Sequence, residues 1–529
     1  MLPVLVAKGA KGVPWPGKEP SKVPDNSANA PQQLTAPHRR AILVWMTFTI
    51  GTYVLTVTVA NVALPQLQGA FTATREEITW IITSNFLATV IATPMSGWLN
   101  SRFGRRRVML WAATIFAIAT TLCGLANSLG EMVVYRAVQG FAGAPLLPLG
   151  QAIILEIYPK SSHGRVVVLW SIGVTLGTIV AAILGGYAAE GYSWRWVFLM
   201  VVPFAVVCVG AIWVYVPAAG ERPSGGGLDW IGFLCLAVAV SGLQLMLDRG
   251  QRLDWFDSTE IVLEAIIAAI AIYLFVVHVL TAERPFLNLR LLLDRNYAIG
   301  VLLGLAFGML YFSTLVLQPS MLEDLRGYSA SLIGIMQAMR GIGMMFGSII
   351  MLVWMQRYDP RIKLFLGFLA QAAAGFAMAE FDVNMTAGAV AWTMALQGFG
   401  IGLMWSPITV VTFATLAPRH MAEGASVFHL MRNVGSSVHI AISASIVVRT
   451  GRASYSELVE VLNTFNKNLH YDSIAGAWDA SNNGGLAALS AEVGRQASMI
   501  GYINAYYAYA LLAVAVLPLV FLARRPPLE

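Results

Sequence analysis

The sequence predicts an all-α integral membrane protein: two six-helix bundles with two extra helices between them, fourteen spans in all. Three observations carry this. Of 529 residues, 57% are hydrophobic and only 12% charged, about half the charged fraction usual in a soluble domain. Apolar runs of 18 or more residues recur from Ala41 to Leu522, each long enough to cross a hydrocarbon core of about 30 Å as a helix. One long segment of the first half returns in the second. In lipid the backbone must satisfy its own hydrogen bonds, and runs of this length do so as helices, not as barrel strands.

Taken in order, residues 1–40 are rich in Pro, Lys, Asn and Ser and read as a disordered cytoplasmic tail. Met1 to Ala7 is too short for the apolar core of a signal peptide, so no cleavage is expected. Spans are expected near 41–64, 78–98, 107–127, 132–157, 165–188 and 194–216, forming a first bundle over 41–217. Two extra spans, 228–247 and 260–281, occupy the connection 218–295. The second bundle, 296–523, holds 296–318, 329–355, 361–380, 386–415, 421–448 and 499–523, with an outward loop at 449–498 and a cytoplasmic end at 524–529.

The repeat supports this division. RAVQGFAGAPLLPLGQAIILEIYP begins at Arg136 and ALQGFGIGLMWSPITVVTFATLAP ends at Pro418. Gln139 and Gln397 stand 258 residues apart, and Pro159 and Pro418 259. Parallel halves of this kind are a recurring transporter architecture, with the substrate between them. With the N-terminus inside, 22 of the 34 Lys and Arg fall on the cytoplasmic side and nine outside. That bias puts both ends in the cytoplasm.

The remaining three, Arg136, Arg340 and Arg432, lie within apolar spans. A guanidinium is costly in hydrocarbon and normally faces a protein interior or a wet pathway. A many-helix membrane protein with such cations reads first as one that moves a solute. Arg136, Gln139, Gly140 and Gly143 share one helix face; either they form a relay in a cavity or Arg136 locks two helices together. His429, Arg432, Asn433, Ser436, His439 and Ser443 make a polar stripe on one span, read as cavity-lining or as a satisfied interior stripe. Three groups could carry a proton: Glu156, His429 and His439. Glu156, close to a helix end, could equally pair with a loop arginine. Glu264 and His278, in an extra helix, are expected to be structural. Gly97, Arg102, Gly104, Arg105 and Arg106 read as an inside gate or as simple positive-inside anchoring. The Met-rich run from Met336 to Met355, with Met339, Met344, Met345 and Met351, fits an adaptable apolar wall or ordinary packing.

Several motifs, in order, resemble the major facilitator superfamily, in particular its fourteen-span drug:proton antiporters of the EmrB type. They are VANVALP (Val59 to Pro65), GWLNSRFGRRR (Gly97 to Arg107), YRAVQG (Tyr135 to Gly140), LGGY (Leu184 to Tyr187) and YSWRWVF (Tyr192 to Phe198). MLDRGQRLDWF (Met246 to Phe256), between the extra helices, and MRNVGSS (Met431 to Ser437) complete the set. The resemblance implies the major facilitator fold and multidrug-type export from the inner membrane, driven by a proton gradient. It also implies a periplasmic adaptor and an outer-membrane channel as partners. The chain departs from the family at Thr56, where an aspartate is usual, at Ser101, at Gly177-Thr178 and Ala181-Ala182 in place of Gly-Pro pairs, and at His439 in place of a small residue. These departures leave open an uncoupled facilitator or an exporter of a lipid-like metabolite. A membrane-embedded enzyme using His429 or His439 finds no support in paired acids, metal-ligand spacing, a nucleophile motif or a nucleotide loop. No cofactor, metal or nucleic-acid partner is expected.

Overall fold

The computed structural model describes residues 35–191, 193–217, 227–282, 285, 287–354, 358–417, 420–462, 478 and 483–523, and among these there is no strand. The first half comprises α1 (Ala36–Val62), α2 (Leu64–Ala70), α3 (Arg75–Ala92), α4 (Met95–Phe103), α5 (Arg105–Leu125), α6 (Leu129–Gly143), α7 (Leu146–Ile157), α8 (His163–Gly191), α9 (Trp194–Leu199) and α10 (Val202–Tyr215). The extra pair is α11 (Trp230–Arg249) and α12 (Thr259–Thr281). The second half comprises α13 (Arg295–Arg326), α14 (Ala330–Trp354), α15 (Pro360–Ala379), α16 (Ala387–Phe413), α17 (Met421–Val461) and α18 (Asn483–Leu522). We call the end where α1 begins the near face and the opposite end the far face.

Local chemistry explains where these helices start and break. α1 begins inside the expected tail, because Pro37 sits in its first turn, where a missing N–H costs nothing. The second expected span is two helices, Glu77–Ala92 and Met95–Phe103, at 55° to each other. Pro94 stands at the break and cannot donate to the preceding turn. Gly104 takes φ +80 and turns the chain sharply from α4 into α5. Gly327 closes α13 at φ +61, its N–H returning to the Glu323 carbonyl. The expected tail up to residue 34 and the expected end at 524–529 lie outside the described residues.

Among the described residues twelve helices are long and apolar enough to cross a membrane, and the bent pair makes a thirteenth. The expected count of fourteen is thus not reached by length and composition; the expected span that goes unmarked, 421–448, lies on α17. That helix has ample length at 41 residues, but its polar stripe keeps composition alone from marking it. The expected loop 449–498 is shorter than its sequence suggests. α17 continues to Val461 and α18 begins at Asn483. The two helices pack as a pair here, with Gly501 set against the Val447 backbone and Tyr455 Oη 3.0 Å from Ser490 Oγ. Mutual packing sustains helix where sequence composition reads as loop.

Glycine seams hold each half together. Gly173 and Gly177 of α8 lie on the α1 backbone at Thr47 and Gly51. In the second half Gly343 and Gly347 of α14 meet the Ala395 and Phe399 carbonyls of α16, and Gly398 and Gly402 meet those of Arg340 and Met344. Small residues let backbones approach, which is where helix association in lipid gains its packing energy. Gly398→Val should therefore cost about 1–3 kcal/mol from overpacking and lower the unfolding temperature in detergent. Gly150→Ala, at a position with open space around it, should leave that temperature unchanged.

Candidate functional site

Three interior arginines, Arg136 and Arg340 buried and Arg432 half-buried, organise three different neighbourhoods. Arg136 on α6 is 1% exposed. Its Nε donates to the Ile81 carbonyl at 3.3 Å and its Nη1 to Gln139 Oε1 at 2.5 Å. Gln139 Nε2 passes the chain on to Thr120 Oγ1 at 2.7 Å. Asn85 Nδ2 donates to the Arg136 carbonyl at 2.9 Å, which ties α3 to α6. Arg340 on α14 donates from Nη2 to the Tyr311 carbonyl at 2.5 Å and lies 4.7 Å from that ring. Arg432 on α17 lies 5.6 Å from the Phe312 ring and 5.9 Å from the Trp405 ring, and its Nη2 donates to Asn433 Oδ1 at 3.0 Å. Among the described residues, aromatic faces and carbonyl oxygens, not carboxylates, carry these cations.

The second and third arginines belong to one aromatic chain. Tyr311 stacks on Phe307 at 5.6 Å, and Phe307 lies 5.1 Å from Trp405. Trp405 lies 6.2 Å from the His429 ring and 6.4 Å from Trp170. Trp170 comes from α8 of the first half and the others from the second, so the chain ends at the junction of the halves. His429 crosses that junction: its Nε2 is 2.6 Å from Gln151 Oε1 on α7. Gln151 Nε2 also reaches Thr409 Oγ1 of α16 at 3.4 Å.

Donors outnumber acceptors here. Trp170 Nε1, Trp405 Nε1, Arg432 Nε and His429 Nδ1 are all buried without a hydrogen-bond partner among the described residues. Unpaired buried polar atoms are costly and call for an explanation. Three of the four are donors in every state, and no carboxylate lies within ion-pair distance of Arg432 among the described residues. The arrangement suits a flat apolar body carrying a hydrogen-bond acceptor or negative charge.

Other expected site residues lie elsewhere. Ser436 Oγ donates to the Asn433 carbonyl on its own helix at 2.6 Å. His439 faces the interior of the second half, 6.1 Å from the Tyr509 ring, with Nδ1 3.2 Å from Ser443 Oγ. Glu156 lies near the near-face end of α7, in a 2.8 Å ion pair with Arg105, its side chain 42% exposed. Thr56 returns its hydroxyl to the Thr52 carbonyl at 2.8 Å. α8 runs unbroken past Thr178 and Ala181.

The near-face motif divides its labour. Arg105 holds Glu156, and Arg106 donates to the Trp213 carbonyl at 2.5 Å, so both fasten α5 within the first half. Arg102 is exposed. Gly97 makes the contact across the halves: a Cβ there would stand 3.2 Å from the Glu423 Cα of α17. Ser406 Oγ donates to the Gly164 carbonyl at 3.1 Å and adds a second crossing. The halves are therefore closed on each other at the near face. Sequence reading missed Gln151, Trp170 and Trp405. The repeat was the available signal, since Gln151 and Trp405 sit inside its two copies.

Two six-helix halves meeting at a polar, aromatic junction define a membrane transporter of the two-bundle class. Residues 46–439 match the Major Facilitator Superfamily, and the chain belongs to that family. Within it the chain is EmrB-like: it is 33% identical over 441 residues to the multidrug export protein EmrB of Escherichia coli (strain K12), covering 83% of this chain and 86% of that protein. It is also 29% identical over 495 residues to the fatty acid resistance protein FarB of Neisseria gonorrhoeae, covering 93% and 98%. Among solved structures, the xylose transporter XylE from E. coli shares the fold with a TM-score of 0.57 at 12% identity, over 92% of this chain and 98% of that one. The human organic anion transporter MFSD10 does so with a TM-score of 0.58 at 12% identity, over 90% and 99%.

Arg432→Ala should abolish most transport while the unfolding temperature holds, because Arg432 faces the junction and is incompletely bonded. Arg136→Ala should lower that temperature as well, because it leaves Gln139 Oε1 without its donor in the bundle interior and removes a tie between α6 and α3. Paired melting and vesicle-transport measurements on both variants check this.

Proposed function

We infer that this chain is a secondary exporter of hydrophobic and amphipathic small molecules, of the multidrug type, working by alternating access of its two halves. The single observation that carries the reading is the donor-rich aromatic junction of Trp170, Trp405, His429 and Arg432, which joins the halves and has bonding capacity to spare. A substrate bound there contacts both bundles, so its binding energy can bias which face is open. Similarity to EmrB, named for multidrug export, and to FarB, named for fatty acid resistance, supports substrates that are apolar with one polar end.

In this reading the protein is a multi-pass component of the inner membrane with its near face and both ends in the cytoplasm, as the Lys and Arg distribution favours. The paired ends of α17 and α18 then project outward, where a periplasmic adaptor and an outer-membrane channel would continue the route. In this reading the chain divides into a first bundle at 41–217, the extra pair within 218–295 and a second bundle at 296–523. A cysteine placed at Ser456 should react with a probe that cannot cross the membrane, and one at Ser101 should not. The opposite pattern would invert the topology.

Export is driven by protons, with Glu156, His429 and His439 as the candidate carriers. Thr56 supplies no carboxylate, and Glu156 is held by Arg105 at the near face. His429 has the most direct lever on the cycle, because its ring bonds Gln151 across the junction. A proton taken up at Nδ1 places a second positive charge beside Arg432 and opposes the closed arrangement. Efflux from vesicles, with the pH gradient on and off, tests this. His429→Asn should remove gradient dependence while leaving substrate binding; Glu156→Gln should leave the dependence largely intact. Thr56 also motivates a second reading, an uncoupled facilitator, which holds if wild-type transport ignores the gradient.

A further inference from the structure

The motif from Met246 to Phe256 lies outside the transport site, yet it touches both halves. On the near side of the 55° bend, α4 lies on α17 at Gly97 and Glu423. Beyond the bend, α11 lies in the crease between α3 and α17. Its Leu236 and Val240 cluster with Phe86 and Val90 of α3 and with Val427 and Leu430 of α17, while Phe275 and Val279 of α12 join the same cluster.

Farther out the contacts become polar and reach to both sides. Toward the first half, the Thr83 hydroxyl donates to the Asp248 carboxylate, and Arg252 Nη1 donates to Thr79 Oγ1 at 3.4 Å. Toward the second half, Ser437 Oγ donates to Gln244 Oε1 at 2.6 Å, and Trp255 Nε1 donates to Ser445 Oγ at 3.1 Å. Arg452 of α17 lies 3.4 Å from Asp254. Asp254 and Trp255 hold left-handed backbone, φ +52 and +56, which is costly for non-glycine residues and persists where surrounding contacts enforce it.

The pair is also stiff. Arg249 bridges to Glu260 and, at 3.3 Å, to Glu264 at one end. His278 meets Asp229 at 2.8 Å at the other. Gly242 brings α12 within packing distance, the Ala268 Cβ standing 3.1 Å from where a Cβ would lie. A rigid wedge bonded on both flanks transmits force between the elements it joins.

We propose that the α11–α12 hairpin is a clasp across the α3–α17 crease, and that Asp248 and Gln244 are positioning residues for the transport cycle. They hold the far parts of α3 and α17 at the separation that goes with a closed near face. This rests on the alternating-access reading above. Rocking that opens the near face carries the far parts of α3 and α17 toward each other, and a stiff wedge cannot then keep both sets of bonds. Each bond therefore stabilises the near-closed state, and losing one of ordinary strength shifts the equilibrium about 2- to 10-fold toward near-open.

Spin-label distances in the full chain test this. After Cys123, Cys208 and Cys235 are replaced by alanine, one label pair goes at Ser101 and Ile362 on the near face and another at Gly130 and Gly388 on the far face. Thr83→Val and Ser437→Ala should each raise the near-open population about 2- to 10-fold. Asp248→Ala added to Thr83→Val should shift it no further, since both remove the same bond. Thr121→Val, which removes a hydroxyl bonded only to its own helix, should change nothing. Thr83→Val and Ser437→Ala with wild-type distances would overturn the clasp, as would additive shifts from Thr83→Val and Asp248→Ala. If Asp248→Ala does not fold, the two milder variants decide the matter alone. A wild type that populates one near-face distance with and without substrate would overturn alternating access itself, and the clasp with it.

Discussion

Charge buried in a lipid-embedded bundle must be answered from within the protein, and this constraint shapes the rest of the molecule. Among the described residues none of the three interior guanidinium groups has a carboxylate within ion-pair distance. Arg136 is answered by a carbonyl, Gln139 and the Phe198 ring. Arg340 is answered by the carbonyl and ring of a single residue, Tyr311. Arg432 is answered by two rings and Asn433, with its Nε left over as Nη1 is left over at Arg340, and of these two it is Arg432 that shares Trp405 and His429 with the junction. The first arrangement fastens a bundle; the last leaves capacity for something that comes and goes.

Packing divides along the same line. Within each half, glycines bring backbones into direct contact, and such contacts resist rearrangement because close-packed interiors shift between discrete arrangements more readily than they deform. Between the halves, α8 packs on α14 and α16 through side chains, with Val168 against Met351 and Leu403 and Gly341 against Ile179, and hydrogen bonds through Gln151, His429, Thr409 and Ser406 and two facing tryptophans add to that seam. Each such bond contributes only about 0.5–1.5 kcal/mol net. A junction of such bonds and side-chain contacts, without the backbone-to-backbone seams found inside each half, is where the two halves can part while each moves as a unit.

Much of this was legible in the sequence because the signals were long. Apolar runs, the repeat around Gln139 and Gln397 and the ordered motifs gave the helical class, the two halves and the extra pair. The repeated glutamines are both buried and bonded between helices, though to different neighbours: Gln139 reaches Thr120 of α5, and Gln397 reaches Thr314 of α13 and Tyr509 of α18. What stayed hidden was long-range pairing. Nothing local tells that Arg105 closes on Glu156, that the gate arginines bind within their own half, or that Trp170 and Trp405 meet. The reach of α17 to Val461 was hidden because its polar residues read as loop, whereas pairing with α18 makes them helix. Asp248 sat in a motif read for resemblance alone, and its role across the crease needed coordinates.

With alternating access, transport requires the two halves to part at the near face, where Ser406 Oγ and the Gly164 carbonyl stand 3.1 Å apart. With the native cysteines removed, Gly164→Cys and Ser406→Cys can be joined by oxidation or a short bifunctional reagent. The account predicts that vesicles holding the fully cross-linked protein cease efflux and regain it when the link is reduced. Efflux at the wild-type rate from fully cross-linked protein would contradict it.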